Sequence, residues 1–244
     1  MKKNIVELNG VLEKSYARDR LVKPELIYRY KIRALVVSKV IGEYVKKLGA
    51  FSVLDFGSAD GLTLLELKYL MKNGEFTGVE LSEELILSAP PLGNSIRLIQ
   101  GNITNLHDEI KVNSFDVVSA LSVIGCLPDP SEAVKVAYRS LKPGGILIIT
   151  WAHPVWDKIS TKLGLLQADS HNVLTKDDLI SLVRKNRFEL LRFRYFMWIP
   201  ISFMTYFRIP VSARLSLSCD ELVNKLKIFN LLFANQYLVA QKPG

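Results

Sequence analysis

Nine consecutive residues, Val53-Leu54-Asp55-Phe56-Gly57-Ser58-Ala59-Asp60-Gly61, carry the first chemistry legible in this chain. An apolar run ends in a loop of small residues, and Gly57 and Gly61 let the backbone turn sharply and approach a ligand closely. The helix expected next would turn free amides and the positive end of its dipole toward an anionic group. Glu80 stands 19 residues beyond Gly61, at the end of a second apolar run, where a carboxylate can accept hydrogen bonds from ribose hydroxyls. Asn102 follows a third such run, and its amide can pair with an adenine edge. Taken singly, Gly57 is an ordinary turn glycine and Glu80 an ordinary surface carboxylate. Their order and separations together point to a nucleoside lying across the strand ends.

The elements that must position these groups follow from hydrophobic periodicity. Tyr28–Leu48 predicts an amphipathic helix closed by Gly49. Strands are predicted at Phe51–Phe56, Phe76–Glu80, Ile96–Gln100, Phe115–Ser119 and Ile146–Thr150, with two more from Phe188–Phe196 and Gln236–Gln241. Helices separate them at Gly61–Met71, from Ser82, from Asp129-Pro130 (a capping Asp followed by Pro at the first position) and from Thr175 to Asn186. Strand and helix alternate, so the expected class is α/β with a doubly wound, mostly parallel sheet. Each candidate ligand-facing residue then falls at the carboxyl end of a strand, where open α/β sheets bind their ligands.

The sequence Asp55-Phe56-Gly57-Ser58-Ala59-Asp60-Gly61, with Glu80, Asn102, Phe115-Asp116-Val117-Val118 and Leu141-Lys142-Pro143-Gly144-Gly145, resembles the class I S-adenosylmethionine-dependent methyltransferases, in particular the small-molecule and quinone-type group. The likeness covers residues 50–151 well and the rest loosely. It implies a Rossmann-like sheet of seven strands whose last runs antiparallel, with S-adenosylmethionine as cofactor and S-adenosylhomocysteine as product. By that resemblance Asp55, Gly57 and Gly61, with Ser58 and Ala59 between them, surround the methionine moiety. Glu80 and Leu81 hold the ribose, Asn102 and Ile103 the adenine, and Ser119, Ala120 and Leu121 lie under the cofactor. Ala59 stands where the family usually has Gly, Asn102 where it usually has Asp, and Gly125-Cys126 where related enzymes often have His-His. A nicotinamide-binding loop would need Gly or Ala at the sixth place from Gly57, which is Leu62, and no Gly-Lys-Ser/Thr loop follows the first strand.

Methyl transfer is an in-line displacement, so alignment can supply much of the rate, and a base is needed only for a weakly acidic acceptor. The acceptor should enter near Thr150–Asp157. His153 or His171 is the candidate base or hydrogen-bond partner, against the alternatives that His153 caps a turn ahead of Pro154 and His171 is a surface residue. Trp151, Trp156 and Trp198 are candidate acceptor contacts, and Tyr28, with Tyr30, a lid. The aromatic stretch Phe193–Leu217 reads first as core packing of a C-terminal insertion. An acceptor roof, a dimer contact, or a membrane-surface contact rimmed by Arg208 and Arg214 are its other readings.

The composition bounds these readings. The 244 residues are 49% apolar and 23% charged, an ordinary globular balance read as one domain: a helical cap over 1–49, a cofactor-binding core over 50–151, and a substrate-side region over 152–244. Two distant cysteines offer no metal spacing or disulfide framework, and no metal is expected. Met-Lys-Lys-Asn opens no apolar leader, so a cytoplasmic protein is expected, monomeric or homodimeric. The net charge of +8 concentrates at both ends, which raises a nucleic-acid methyltransferase as the rival. Against it, Ser119-Ala120-Leu121-Ser122 replaces the Asn/Asp-Pro-Pro-Tyr/Phe motif, and neither cysteine follows proline. The favoured partner is a small-molecule or lipid-like acceptor; a non-catalytic cofactor-binding protein is the remaining alternative.

Overall fold

The structure, a computed structural model, describes residues 14–45, 49–106, 110–162, 172–226 and 230–244. Of the expected site residues, His171 lies outside them. Two helices lead the described chain, α1 (Lys14–Val22) and α2 (Pro24–Tyr44), the second starting at a proline whose missing N–H costs a first turn nothing. Then β1 (Phe51–Phe56), α3 (Leu62–Leu70), β2 (Gly74–Glu80), α4 (Glu83–Leu87), β3 (Ile96–Gln100) and β4 (Phe115–Leu121) alternate. Next come α5 (Pro130–Ser140), β5 (Leu141–Ala152), α6 (Pro154–Lys162), α7 (Lys176–Lys185) and β6 (Glu189–Trp198). Two further helices, α8 (Ile199–Met204) and α9 (Ala213–Leu226), precede β7 (Phe233–Gln241).

All seven strands join one sheet in the order β3-β2-β1-β4-β5-β7-β6. β7 runs antiparallel to both its neighbours, and the β1–β5 pairings are parallel. Because successive strand residues face opposite sides, the sheet feeds two cores. Leu54, Val118, Leu147 and Leu238 pack against α5 and α7 on one face. Val53, Val117, Ile148 and Val239 pack against α2 and α3 on the other. The order turns back between β1 and β4, which opens a crevice at their carboxyl ends.

Local chemistry set most boundaries. Ser82 caps α4, Asp129 caps α5 through the Ser131 N–H, and Thr175 with Asp178 closes a capping box on α7. Asp116 is structural: it accepts from the Ser52 amide and hydroxyl and pairs with Lys142 at 2.8 Å, tying β4 to β1 and β5. The helix expected to run to Leu48 instead begins at Pro24 and ends at Tyr44, so Gly49 is not its cap.

The stretch Phe193–Leu217 is core-packed only in part: Phe196 and Met197 are buried, with Val211, Ala213 and Leu217 packed against the same core. The buried residues on α8, the turn after it and the start of α9 include Ser202, Thr205 and Ser216, while Phe203, Tyr206 and Phe207 are exposed. Tyr28 is the reason: buried on α2, its hydroxyl meets Ser216 Oγ at 2.5 Å and Ser202 Oγ at 3.5 Å, and burial pushes its pKa up to about 12. Tyr28 is therefore a structural bolt between α2, α8 and α9, and not a lid.

Asp220 on α9 holds the same region. Its carboxylate accepts from the Met197 and Trp198 amides, both at 2.8 Å, where the chain leaves β6 with Met197 at φ 61°. Burial pushes its pKa up to about 6. Asp220→Ala would strand two amides and is expected to cost about 2 kcal/mol of stability, read by chemical denaturation.

Candidate functional site

A cavity of about 230 Å3 opens at the carboxyl ends of β1, β2, β3 and β4. Asp55, Gly57, Ser58, Ala59, Glu80, Leu81, Asn102, Ile103 and Leu121 all line it. Gly61, Ser119 and Ala120 do not reach the lining. Gly61 sits at the start of α3 with φ 76° and aims the loop, Ser119 donates to Asp55 at 2.6 Å from behind, and Ala120 is core.

The bend is fixed by backbone bonds. Gly57 takes φ 67°, and its amide and that of Ser58 both donate to the Val79 carbonyl, at 2.8 and 3.1 Å. Ala59 also lies at positive φ, 51°, where a small residue is tolerated best. Its amide donates to Glu80 Oε2 at 2.8 Å, while Oε1 accepts from the Leu81 and Ser82 amides at 2.9 and 3.0 Å. Three of the four lone-pair positions of that carboxylate are thus filled from the backbone, leaving capacity for one hydroxyl donor. Ser58 also lines this wall; its buried Oγ packs over Gly78 of β2 and has no hydrogen-bond partner among the described residues.

Asn102 meets its expectation differently. Its Oδ1 accepts from both the amide and the hydroxyl of Thr104, at 3.0 and 2.8 Å, so the oxygen is already committed. What remains toward the cavity is the Nδ2 donor, suited to a ring nitrogen rather than to an exocyclic amine.

The helix N-terminus after Gly61 is not the free anion site that the sequence suggested. Asp60 accepts from the Leu62 amide at 3.3 Å and pairs with Arg20 of α1 at 2.8 Å, both partners buried. Arg20 also donates to Thr63 Oγ1 at 3.1 Å and lies between the rings of Tyr16 and Tyr30, 5.6 and 5.5 Å from their centroids. The contact crosses 40 residues of sequence to lay α1 over the bend. Anion-binding capacity is supplied from α2. There Arg33 donates to Ser122 Oγ at 2.8 Å and has its Nε unpartnered, and Arg29 donates to the Tyr206 hydroxyl at 2.7 Å. Burial draws Arg33 down to about 10, which leaves it a cation at neutral pH.

Sequence reasoning missed these guanidiniums, taking from the basic N-terminal segment only its net charge. The available signal was spacing: Leu26, Arg29, Tyr30 and Arg33 recur at one helical face, and all four line the cavity. Ser122, Val123, Cys126 and Leu127 after β4, also missed, complete the opposite wall. Ser122 is held at φ 61° and Asn172 folds onto this wall, its amide donating to the Gly125 carbonyl and its Nδ2 to that of Leu127.

Asp55 is the titrating group in the cavity. Burial pushes its carboxyl up to about 7, opposed by the Ser119 hydroxyl and the charges of Arg20 and Arg33. The native pKa lies above the unfolded one near 4, so this group favours folding most below pH 4, and that contribution is lost as pH rises through 7. A ligand ammonium beside Asp55 would favour the ionised form. The affinity of such a ligand is therefore expected to rise several-fold between pH 6 and pH 8, and Asp55→Asn to flatten that dependence, as measured by calorimetry at each pH.

The expected acceptor residues are not part of this cavity. His153 is buried ahead of α6; its Nδ1 accepts from the Val155 amide at 3.3 Å, and its ring meets that of Tyr195 at 5.7 Å. Burial lowers its pKa, and an accepting Nδ1 leaves the proton on Nε2, so the ring has no free lone pair to act as a base. The geometry is that of the capping alternative. Trp151 is core, packed on Phe193. Trp156 is held by its Nε1 donating to the Leu231 carbonyl, and Trp198 ends β6 with its amide on Asp220. Trp151 lies within β5, Trp156 on α6 and Trp198 at the end of β6, and none of the three lines the cavity.

Comparison with known proteins agrees with this geometry. Residues 54–149 match the family described as Methyltransferase domain. The ubiquinone/menaquinone biosynthesis C-methyltransferase of Bdellovibrio bacteriovorus is 30% identical over 144 residues, 57% of this chain and 60% of that protein. The ubiquinone biosynthesis O-methyltransferase of Idiomarina loihiensis is 36% identical over 97 residues, 38% of this chain and 39% of that protein. The chain thus spans less than two thirds of these relatives. In fold it is similar to a solved structure from Thermotoga maritima described as a SAM-dependent methyltransferase, with a TM-score of 0.66 at 19% identity, covering 98% of this chain and 100% of that one. The matched stretch holds the bend, Glu80 and Asn102, and over residues 54–149 the chain is similar to the methyltransferase domain family.

Proposed function

We propose that this chain binds S-adenosylmethionine in the β1–β4 cavity and transfers its methyl group to a small, apolar, quinone-type acceptor. The observation that carries this reading is the convergence on one cavity of a positive-φ glycine bend and a Glu80 carboxylate with one open acceptor position. When bound, the cofactor supplies an electrophilic methyl carbon on a sulfonium. Glu80 would accept from a ribose hydroxyl, with Leu81 and Ile103 flanking the base and Asn102 Nδ2 donating to it. Asp55 would face the ammonium and Arg33 the carboxylate of the amino-acid tail.

Leu26, Leu121, Val123 and Leu127 give the lining an apolar portion, which suits a flat hydrophobic acceptor. No described histidine faces this cavity, so catalysis rests on alignment and on an acceptor that ionises readily. Similarity to two quinone-pathway methyltransferases supports that acceptor class. Calorimetry with S-adenosylmethionine, S-adenosylhomocysteine and NAD tests the cofactor, and methyl transfer from labelled cofactor to a panel of hydroxylated quinols tests the acceptor. Binding of the first two ligands without NAD, and label in a quinol, is the expected result. Tight NAD binding with no response to the others overturns the reading.

A further inference from the structure

The segment between β6 and α9 has its polarity reversed. Ser202 and Thr205 are buried, and the outward residues are Phe203, Met204, Tyr206, Phe207 and Ile209. Phe207 is 66% exposed and Phe203 56%, an extent of aromatic surface that a folded chain rarely leaves to water without a partner. The aromatic side chains form one patch, since the Phe203 ring lies 5.2 Å from Phe207 and 6.1 Å from Tyr206. The arrangement is built into the backbone. Thr205 Oγ1 donates to the Ser202 carbonyl, the Ile209 amide returns to the Met204 carbonyl, and Arg208 adopts φ 59° to make the turn.

Charge says what covers it. From Leu190 to Cys219 the chain carries Arg192, Arg194, Arg208 and Arg214 and no acidic residue; Arg208, next in sequence to Phe207, and Arg214, at the start of α9, are both exposed. A second copy of the chain docked by a two-fold contact would bring these arginines against one another. Aromatic and aliphatic side chains framed by arginine instead match the interfacial zone of an anionic bilayer, apolar groups below the phosphates and guanidiniums among them. No helix among the described residues is long and apolar enough to cross a membrane, so such a contact would be peripheral.

We propose that the Phe203–Ile209 patch, with Arg208 and Arg214, docks this protein on the surface of an anionic membrane. Its position gives the contact a use. The Tyr206 hydroxyl is bonded to Arg29, which lines the cavity, so docking sets the cavity mouth beside the lipid. A hydrophobic acceptor could then enter without crossing water; this last consequence rests on the methyltransferase reading, whereas docking itself does not.

The test is sedimentation of the full chain with vesicles of phosphatidylglycerol and phosphatidylcholine, against vesicles of phosphatidylcholine alone. The expected result is binding to the anionic vesicles that weakens with added salt. A Phe203→Ser/Phe207→Ser variant and an Arg208→Glu/Arg214→Glu variant should each partition about 10-fold less or weaker still, with melting temperature and S-adenosylhomocysteine binding unchanged. Failure of the native protein to bind anionic vesicles overturns the proposal, as does equal binding by both variants. Concentration-dependent dimerisation that the Phe variant abolishes, without vesicle binding, would overturn it in favour of a self-association face. Because S-adenosylhomocysteine binding is followed separately, loss of the cofactor reading would show independently of the vesicle result.

Discussion

Gly57→Val is expected to abolish binding of S-adenosylmethionine and S-adenosylhomocysteine altogether, with no heat detectable in calorimetry. Two effects act together. Gly57 sits at φ 67°, in the left-handed region that β-branched side chains avoid. A Cβ built there would also lie 2.7 Å from Val123 Cγ2, across the cavity wall. Relief requires the bend to move off the Val79 carbonyl that anchors it, or Val123 to shift where the amino-acid tail should lie. Circular dichroism should still show a folded chain, since the strained residue is in the loop and not in the sheet. Gly57→Ala keeps the φ strain and lacks the branched methyls, so it should fall between the two. Native affinity in the valine variant would show that the ligand does not use this bend.

Glu80→Ala is expected to weaken cofactor binding by about 3 kcal/mol, roughly 100-fold in Kd. The carboxylate accepts from the Ala59, Leu81 and Ser82 amides at once, and it is 6% exposed. Removing it leaves those amides without their acceptor and frees the loop whose shape makes the cavity, in addition to losing the ribose contact. The melting temperature should therefore fall together with affinity. Glu80→Gln separates the parts: it keeps one oxygen acceptor but turns an NH2 toward backbone donors, so it should recover little of the loss. An unchanged Kd in both variants would remove Glu80 from the ligand site.

The two substitutions probe the part of the protein that was legible before its structure. Asp55, Gly57, Glu80 and Asn102 sit at strand ends that alternate with helices, and parallel strand pairing carries those ends to one edge. Asn102 lines the cavity, but which of its amide atoms is free depended on Thr104, two residues away and hydroxylated. The acceptor side was read less well. His153, Trp151 and Trp156 stand where an acceptor should enter and Trp198 in an aromatic stretch, yet a histidine lone pair spent on the Val155 amide, or a tryptophan buried on Phe193, does no chemistry in the cavity.

By itself the chain determined what depends on short range: strands and helices from periodicity, caps from Ser, Thr and Asp, and a glycine bend whose conformation few other residues accept. Tertiary structure alone decided which face of each helix meets which partner. Arg20 reaches Asp60 across 40 positions, Arg33 points into the cavity from a helix that otherwise looks amphipathic, and Tyr28 draws hydroxyls inward so that Phe203 and Phe207 are left outside. The physical reason is that a backbone bond or a cap is settled between neighbours, whereas burial of a side chain is settled by whatever distant surface packs against it.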